Sequence, residues 1–600
     1  LKIHLKRREV MGKKKLYYVS ALCASLVAGG FIFSQKAEAV KSPEEAPVDP
    51  KNCYSCHGLI KDFHTKGAHK NVNCVNCHTG VGTHLKDVTK RPATVTDHEA
   101  CGKCHKEQYE SFLGHNYRKH AFYDKGDPKS RSPFWETLIR PYAFEIYHAE
   151  PRSHKYMLLD HLAADRAYGG RFQYKRGFQD VVIKGPVKAW DILYDAFPEE
   201  DPKGPKKFFV PRTWPAAVAM CLLCKTQDHI LAWPYMGDPT PKSDINRTTN
   251  PAYIAKQYLN NGFNCFLCHD PHSAEPRIVR DALIEALTTR NDTLWHEGYP
   301  NKANFKVYGN KEGLGLRGFE RKIAILDRYD PNLQCGQCHV EYNCGALHDY
   351  EKSEYGKPPV PVDFATDRRS NHFPFVTLAK IDPKSLKITE PTFMNHLAKY
   401  KFFDFVHWAT GAKLWKAQHP EVETYYNSPH AMIGATCVDC HTDKGIAGFA
   451  KRSSGDKIAK SEKKFTSHFH ASPRDFNWSP CLKCHTDWTP KDAEYAVESV
   501  KNYIRHHMRK AEIWLRELVQ TFQRAKDWGV DAETLNKARK LHEEAHMYWE
   551  WWTAENSDGF HNPKLAKATL ARSVQLSWEA IDLLNKAIAE KRAKMETAKK

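Results

Sequence analysis

The sequence predicts a mainly α protein, with irregular loops, long C-terminal helices and a core not made of side chains alone. Three observations lead there. Cys-x-x-Cys-His recurs seven times, at Cys53/Cys56/His57, Cys74/Cys77/His78, Cys101/Cys104/His105, Cys265/Cys268/His269, Cys335/Cys338/His339, Cys437/Cys440/His441 and Cys481/Cys484/His485, and an eighth motif ends in lysine, Cys221/Cys224/Lys225. After Thr489 the chain turns to runs rich in Ala, Glu, Lys, Leu and Arg, with Val500, Ile504, Met508, Ile513 and Leu515 at helical spacing. Strand-like alternation is scarce throughout.

The repeated spacing is that of covalent c-type haem attachment, in which both thiols form thioethers to the porphyrin and the adjacent histidine binds iron. Zinc would need the pairs to close into four-ligand sites and would leave seven histidines at one offset unexplained. The motifs use sixteen of the eighteen cysteines, leaving Cys23 and Cys344. A multihaem cytochrome c with a haem-dominated core follows.

Residues 1–39 read as a signal peptide, with a basic start, an apolar run from Leu16 to Phe33 and a small-residue cleavage site at Ala37-Glu38-Ala39. Met11, ahead of Lys13-Lys14-Lys15, fits a true start, and Cys23 leaves with the apolar run. The alternative is an uncleaved membrane anchor. Export, periplasmic or beyond, fits thiols presented to a haem-attachment system rather than paired as disulfides. Cleavage removes eight Lys/Arg and two Asp/Glu, lowering the net charge from +19 to +13. Haem propionates would absorb much of that excess, so no nucleic-acid partner is implied.

Pro43 to Pro50 reads as a linker into an N-terminal trihaem domain, 40–125, with too few residues per haem for any other core. A pentahaem catalytic core, 126–490, carries wider spacing and room for a built site. The region 491–600 is long helix, and Gly559 and Pro563 divide a helix ending near Trp552 from one beginning near Lys564. Tyr548, Trp549, Trp551 and Trp552 serve packing or a subunit interface.

Histidine on both faces closes a haem iron to chemistry, and reaction needs an open face. Lys225 supplies a strong σ-donor amine in place of the motif histidine and changes the iron's electronics. The blander alternatives are a degenerate histidine position or a distant histidine ligand.

Four runs, CLLCK at 221–225, CGQCHVEY at 335–342, KAQHPEVET at 416–424 and ENSDGFHNP at 555–563, carry a resemblance. Pro151 to His561 resembles the pentahaem ammonia-forming cytochrome c nitrite reductases, and with the N-terminal motifs the chain resembles the octahaem nitrite reductases. The resemblance implies eight c-type haems and six-electron reduction of nitrite to ammonia at the Lys225 haem, with hydroxylamine a competent substrate and sulfite a slower one. It lines the open haem face with Arg166 (Arg171 as fallback), Tyr342 and His419. It places calcium on the Glu341 carboxylate, the Tyr342 and Lys416 carbonyls and the Gln418 side chain, all hard oxygen donors. Cys344 and Tyr342 stand at the spacing of the octahaem branch's thioether link; a lone thiol is the other reading.

The resemblance also implies distal ligands: His154 for the haem at Cys335/Cys338, His430 for Cys481/Cys484, His468 (with His470 as rival) for Cys265/Cys268 and His561 for Cys437/Cys440. For the three N-terminal haems the candidates are His64, His69, His84, His98, His115, His120 and others, with no choice among them. A redox donor protein or quinol-linked cytochrome is implied as partner, and a trimer or hexamer as assembly. Hydroxylamine oxidation, by likeness in haem spacing to the hydroxylamine oxidoreductases, is the rival activity; Lys225 and KAQHP argue against it. A non-catalytic electron conduit is the rival of another class and would need no Arg/Tyr/His pocket.

Overall fold

Haem motifs occupy short turns, while proline and capping residues set the ends of the long helices. The computed structural model describes residues 45–95, 98–113, 115–116, 132–139, 154–157, 224–225, 263, 265–299, 303–310, 321–342, 373–442, 450–451 and 467–598. Residues 1–39, Arg166, Arg171, Cys221 and Cys344 lie outside the described residues.

The chain divides into two compact units, Leu1–Gly58 with Asn71–Val95, and Leu59–Lys70 with Thr96–Lys600. In the first, the strand His78–Thr79 pairs antiparallel with Ala93–Thr94. Glu45 accepts the backbone N–H of Val81 (3.0 Å) and Gly82 (3.4 Å), satisfying the open N-terminus of the helix Val81–Lys86.

After the short helices His98–Gly102, Lys106–Phe112 and Trp135–Ile139, the second unit carries β1 (Arg277–Ile278), α1 (Asp281–Thr288), β2 (Phe305–Asn310) and β3 (Arg321–Leu326), the three strands forming an antiparallel sheet in the order β1-β3-β2. Phe305 pairs with Leu326 and Asn310 with Arg321. Asp330, accepting the Leu333 N–H, and Pro331 start α2 (Pro331–Cys335), which delivers a haem motif. There follow α3 (Thr392–Tyr400), the hairpin β4 (Phe405–Val406) and β5 (Lys413–Leu414), α4 (Glu421–Tyr425) and α5 (Cys437–His441).

Three long helices complete the unit: α6 (Pro490–Asp527), α7 (Ala532–Ala554) and α8 (Pro563–Ala598). Thr489 and Asp492 form a reciprocal capping box at the start of α6, and Asp531 caps α7. The turns between them pass through Gly529 and Gly559 at positive φ. At Gly559 a Cβ would meet Ile504 Cγ2 at 2.7 Å, so both conformation and space demand glycine. Ile504, Met508 and Leu515 are buried on one face of α6, whereas Ile513, expected in the same stripe, is 48% exposed because its position turns away from α7 and α8. Tyr548, Trp549, Trp551 and Trp552 are all wholly buried, which makes that cluster core packing. Among the described residues no helix is long and apolar enough to cross a membrane.

Candidate haem centres and active site

Each Cys-x-x-Cys-His run forms one tight turn. The histidine N–H donates to the first cysteine's carbonyl at His57 (2.9 Å), His105 (2.8 Å), His269 (3.0 Å), His339 (2.9 Å) and His485 (3.0 Å). A single helical turn brings positions i, i+3 and i+4 to one side, so two thiols and an imidazole converge on one ligand plane. Among the described residues no two cysteines are joined by a disulfide, as haem attachment needs.

The two thiols of a motif are not equally covered. The first cysteines Cys53, Cys74, Cys101 and Cys481 are partly buried by the chain itself, and the second cysteines Cys56, Cys77, Cys104 and Cys484 are left to be covered by the ligand they attach.

The second half of each centre can be tested against the protein itself. A metal–imidazole bond of about 2 Å on each side, with the reach from nitrogen to ring centre, sets two trans imidazoles roughly 6 Å apart. Among the described residues, five motif histidines face a second histidine at that spacing: His57–His84 (6.4 Å), His69–His105 (6.0 Å), His269–His468 (6.4 Å), His430–His485 (6.5 Å) and His441–His561 (6.2 Å). A ligand that binds iron through Nε2 leaves Nδ1 to a second partner. That partner is a main-chain carbonyl for His69 (Pro271, 2.8 Å), His84 (Lys90, 3.0 Å), His269 (Ala274, 3.1 Å) and His441 (Ala471, 3.0 Å). The residues present therefore fit haem. Sequence alone does not single out His69 and His84; the side chains of His98 and His115, and all of His120, lie outside the described residues. His154 stacks on Phe263 (5.1 Å) and lies 5.3 Å from His470, with His339 and Lys225 as charged neighbours, and burial holds its ring well below the usual imidazole range.

Thiol contacts show which centres adjoin. Cys53 and Cys74 are 3.8 Å apart within the first unit. In the second, Cys101 adjoins Cys265, Cys335 adjoins Cys437 and Cys224 adjoins Cys338. The Lys225 motif thus abuts the motif of Cys335 and Cys338, and the buried Arg280 places positive charge beside both Cys224 and Cys338.

Tyr342 and His419 come from two runs that are laced together. Glu341 Oε2 accepts the Gln418 N–H at 2.7 Å, Glu423 Oε1 accepts the Glu341 N–H at 3.0 Å, and the Val422 N–H donates to the His339 carbonyl at 3.1 Å. Each catalytic candidate stands one residue from the Glu341–Gln418 bond. Tyr342 is buried against Phe373, ring centres 6.2 Å apart. The far side is fixed by the C-terminal helices: Trp551 donates to Thr424 Oγ1 at 2.8 Å, and Asn562 donates to the Thr424 and Tyr426 carbonyls.

Glu341 Oε1 and Glu423 Oε2 are buried without a hydrogen-bond partner, and burial pushes both carboxyls well above the usual carboxylate range. Unpaired buried carboxylate oxygens call for a cation. The Gln418 side-chain amide lies 3.4 Å from the Lys416 carbonyl, so oxygen donors gather beside Glu341. The donor set fits a hard cation such as calcium. Lys416 carries its own Nζ away from this point, into a fully buried ion pair with Glu550.

With these centres in view, comparison with known proteins gives the family. The sequence model of the family described as cytochrome c552 matches residues 211–599. The chain belongs to the cytochrome c552 family. Within it, the chain is similar to the cytochrome c nitrite reductase subunit NrfA of Nitratidesulfovibrio vulgaris, 26% identical over 455 residues that make up 75% of this chain and 68% of that protein. It is also similar to cytochrome c-552 of Bacteroides thetaiotaomicron, 22% identical over 55% of this chain and 52% of the relative, so it spans about half of that protein's length. A solved cytochrome c nitrite reductase from Desulfovibrio desulfuricans, described with two calcium sites, aligns over 82% of this chain and 86% of its own at 20% identity and a TM-score of 0.48. A cytochrome c552-family chain of this kind is a mainly α multihaem cytochrome c.

Proposed function

We propose that this exported octahaem cytochrome reduces nitrite to ammonia by six electrons at the Lys225 haem, and accepts hydroxylamine at the same centre. The observation that carries the proposal is the lacing of the CHVEY and KAQHPEVET runs, which sets Tyr342 and His419 beside one buried carboxylate.

When bound, a haem held by Cys221, Cys224 and Lys225 would supply the redox iron and the electrons for substrate. The chain's own groups do the rest. Arg166 and His419 draw in an anion and hydrogen-bond its oxygens, a preorganised electrostatic role. His419 and Tyr342 hold and deliver protons. A link between Cys344 and Tyr342 locks the phenol in place. Glu341, Tyr342, Lys416 and Gln418 would hold a calcium ion, which would fix the two backbones that present those proton donors. The other seven haems would relay electrons, with His84, His69, His468, His430 and His561 holding them opposite the motif histidines of the ring pairs above and His154 serving the haem of Cys335 and Cys338. The divisions 1–39, 40–125, 126–490 and 491–600 assign export, trihaem relay, catalysis and helical support. A redox donor protein feeds the relay, and the enzyme assembles as a trimer or hexamer.

The test is stoichiometric. Dithionite-reduced enzyme with methyl viologen is expected to yield one ammonium per nitrite, and Lys225→His to lose that activity while keeping all haems. Fully haem-loaded protein that consumes no nitrite overturns the reading and points to hydroxylamine oxidation or pure electron transfer.

A further inference from the structure

The paired histidines do not share one kind of partner. His69, His84, His269 and His441 turn Nδ1 to main-chain carbonyls. His561 instead has its Nδ1 2.7 Å from Oε1 of Glu555, a carboxylate with no exposed surface. The approach is close but out of line with the N–H bond, so Glu555 acts on the ring chiefly as charge.

That charge is built in. Glu555 ends α7, and the turn leading to α8 wraps its carboxylate: Ser557 donates through both its N–H (3.1 Å) and its hydroxyl (2.7 Å), and the Gly559 N–H donates at 3.0 Å. The Ser557 oxygen in turn accepts the N–H of His561 itself at 2.9 Å. Three donors on one carboxylate favour its ionised form, and water is excluded from it. His339 has a weaker counterpart: Glu421 stands 3.7 Å away, with its other oxygen bound to Asn556.

We propose that Glu555 is a positioning residue that holds fixed negative charge against His561 and keeps the haem carried by Cys437 and Cys440 at a lower reduction potential than its neighbours. The inference rests on His441 and His561 sharing that haem. Negative charge and an electron-rich ligand both favour ferric over ferrous iron. The position matters because the Cys437 side chain adjoins that of Cys335, whose motif abuts the Lys225 motif, and Cys440 neighbours Cys481. A low-potential haem there is an uphill step between the Cys481 side and the pair nearest Lys225. Electrons gathered at that pair are then kept for the substrate.

The test uses the haem-loaded full chain, spectroelectrochemical titration and low-spin EPR. Glu555→Gln is expected to raise the midpoint of one low-spin haem and shift its g-values, leaving the others in place. Glu555→Asp keeps the charge but withdraws it by one methylene, so it is expected to move the same haem by a smaller amount; it carries the test if the glutamine variant loads haem poorly. His561→Ala is expected to turn that same haem high-spin. If His561→Ala does so and neither Glu555 variant moves a midpoint, the proposal falls and the pairing stands. If His561→Ala leaves every haem low-spin, the pairing falls and the proposal with it.

Discussion

The C-terminal helices and the haem-bearing turns are held together by opposite means. Between α6, α7 and α8 the core is side chain against side chain: Trp549, Trp551 and Trp552 are wholly buried, and their ring N–H groups find Glu512, Thr424 and Thr569. Around Cys265, Cys335, Cys437 and Cys481 the elements are helical turns of three to five residues. Pieces that short are marginal alone. The first region is an ordinary hydrophobic core; the second is a set of ligand turns around imidazole pairs set to hold a prosthetic group between them. The two meet at Thr424 and Asn562, where the bundle braces the run that carries His419.

The comparison breaks most severely if haem attachment is blocked at one centre. Cys437→Ser with Cys440→Ser is expected to remove essentially all protection of residues 436–442 from protease, while far-UV circular dichroism from the bundle persists. Unchanged protection would mean that the turns hold themselves.

On the bundle side, Trp551→Ala is expected to cost about 3–5 kcal/mol, the usual loss for a buried large aromatic. Because Trp551 also braces Thr424, thermal unfolding should fall and nitrite turnover should fall with it. A variant destabilised by less than about 1 kcal/mol would contradict this packing.

A pH difference sharpens the contrast. His407 on the β4–β5 hairpin packs against His542 of α7, ring centres 5.1 Å apart, and burial lowers its pKa to about 4. Its folded pKa is depressed, so unfolded chains bind the extra proton first. Stability is then complete above the ordinary imidazole value and falls as pH drops from about 6.5 towards about 4, by roughly 3 kcal/mol. His407→Gln should flatten that part of the acid denaturation curve; an unchanged slope assigns the acid sensitivity elsewhere.

The smallest expected effect is at the helix start. Thr489→Ala removes the capping box of α6 and should cost about 1 kcal/mol, seen as a small shift in the urea midpoint with no change in haem spectra.

Sequence made the two regions unequally legible. Helix ends were readable because Thr489, Gly559 and Pro563 act locally, and the burial of Tyr548 to Trp552 follows from aromatic size. Ile513 went astray because a periodic stripe does not say how wide the neighbouring helices' cover is. The haem motifs are local in sequence, but their opposite ligands are not. The Nδ1 partner of His69 is Pro271, 202 residues on, and nothing in the N-terminal segment marks that meeting. For His84 the acceptor, Lys90, is only six residues away, so a search for histidines whose Nδ1 could be satisfied nearby in the chain had a chance of finding it. The Glu341 junction was reached only through family resemblance, since its bonds bridge 77 and 82 residues.

The central claim is one open haem among closed ones, and the ferric protein's EPR spectrum tests it most directly. The account predicts a high-spin signal of one haem per chain, lost on adding nitrite, beside low-spin signals from the paired histidines. A spectrum that is low-spin throughout and indifferent to nitrite would contradict it.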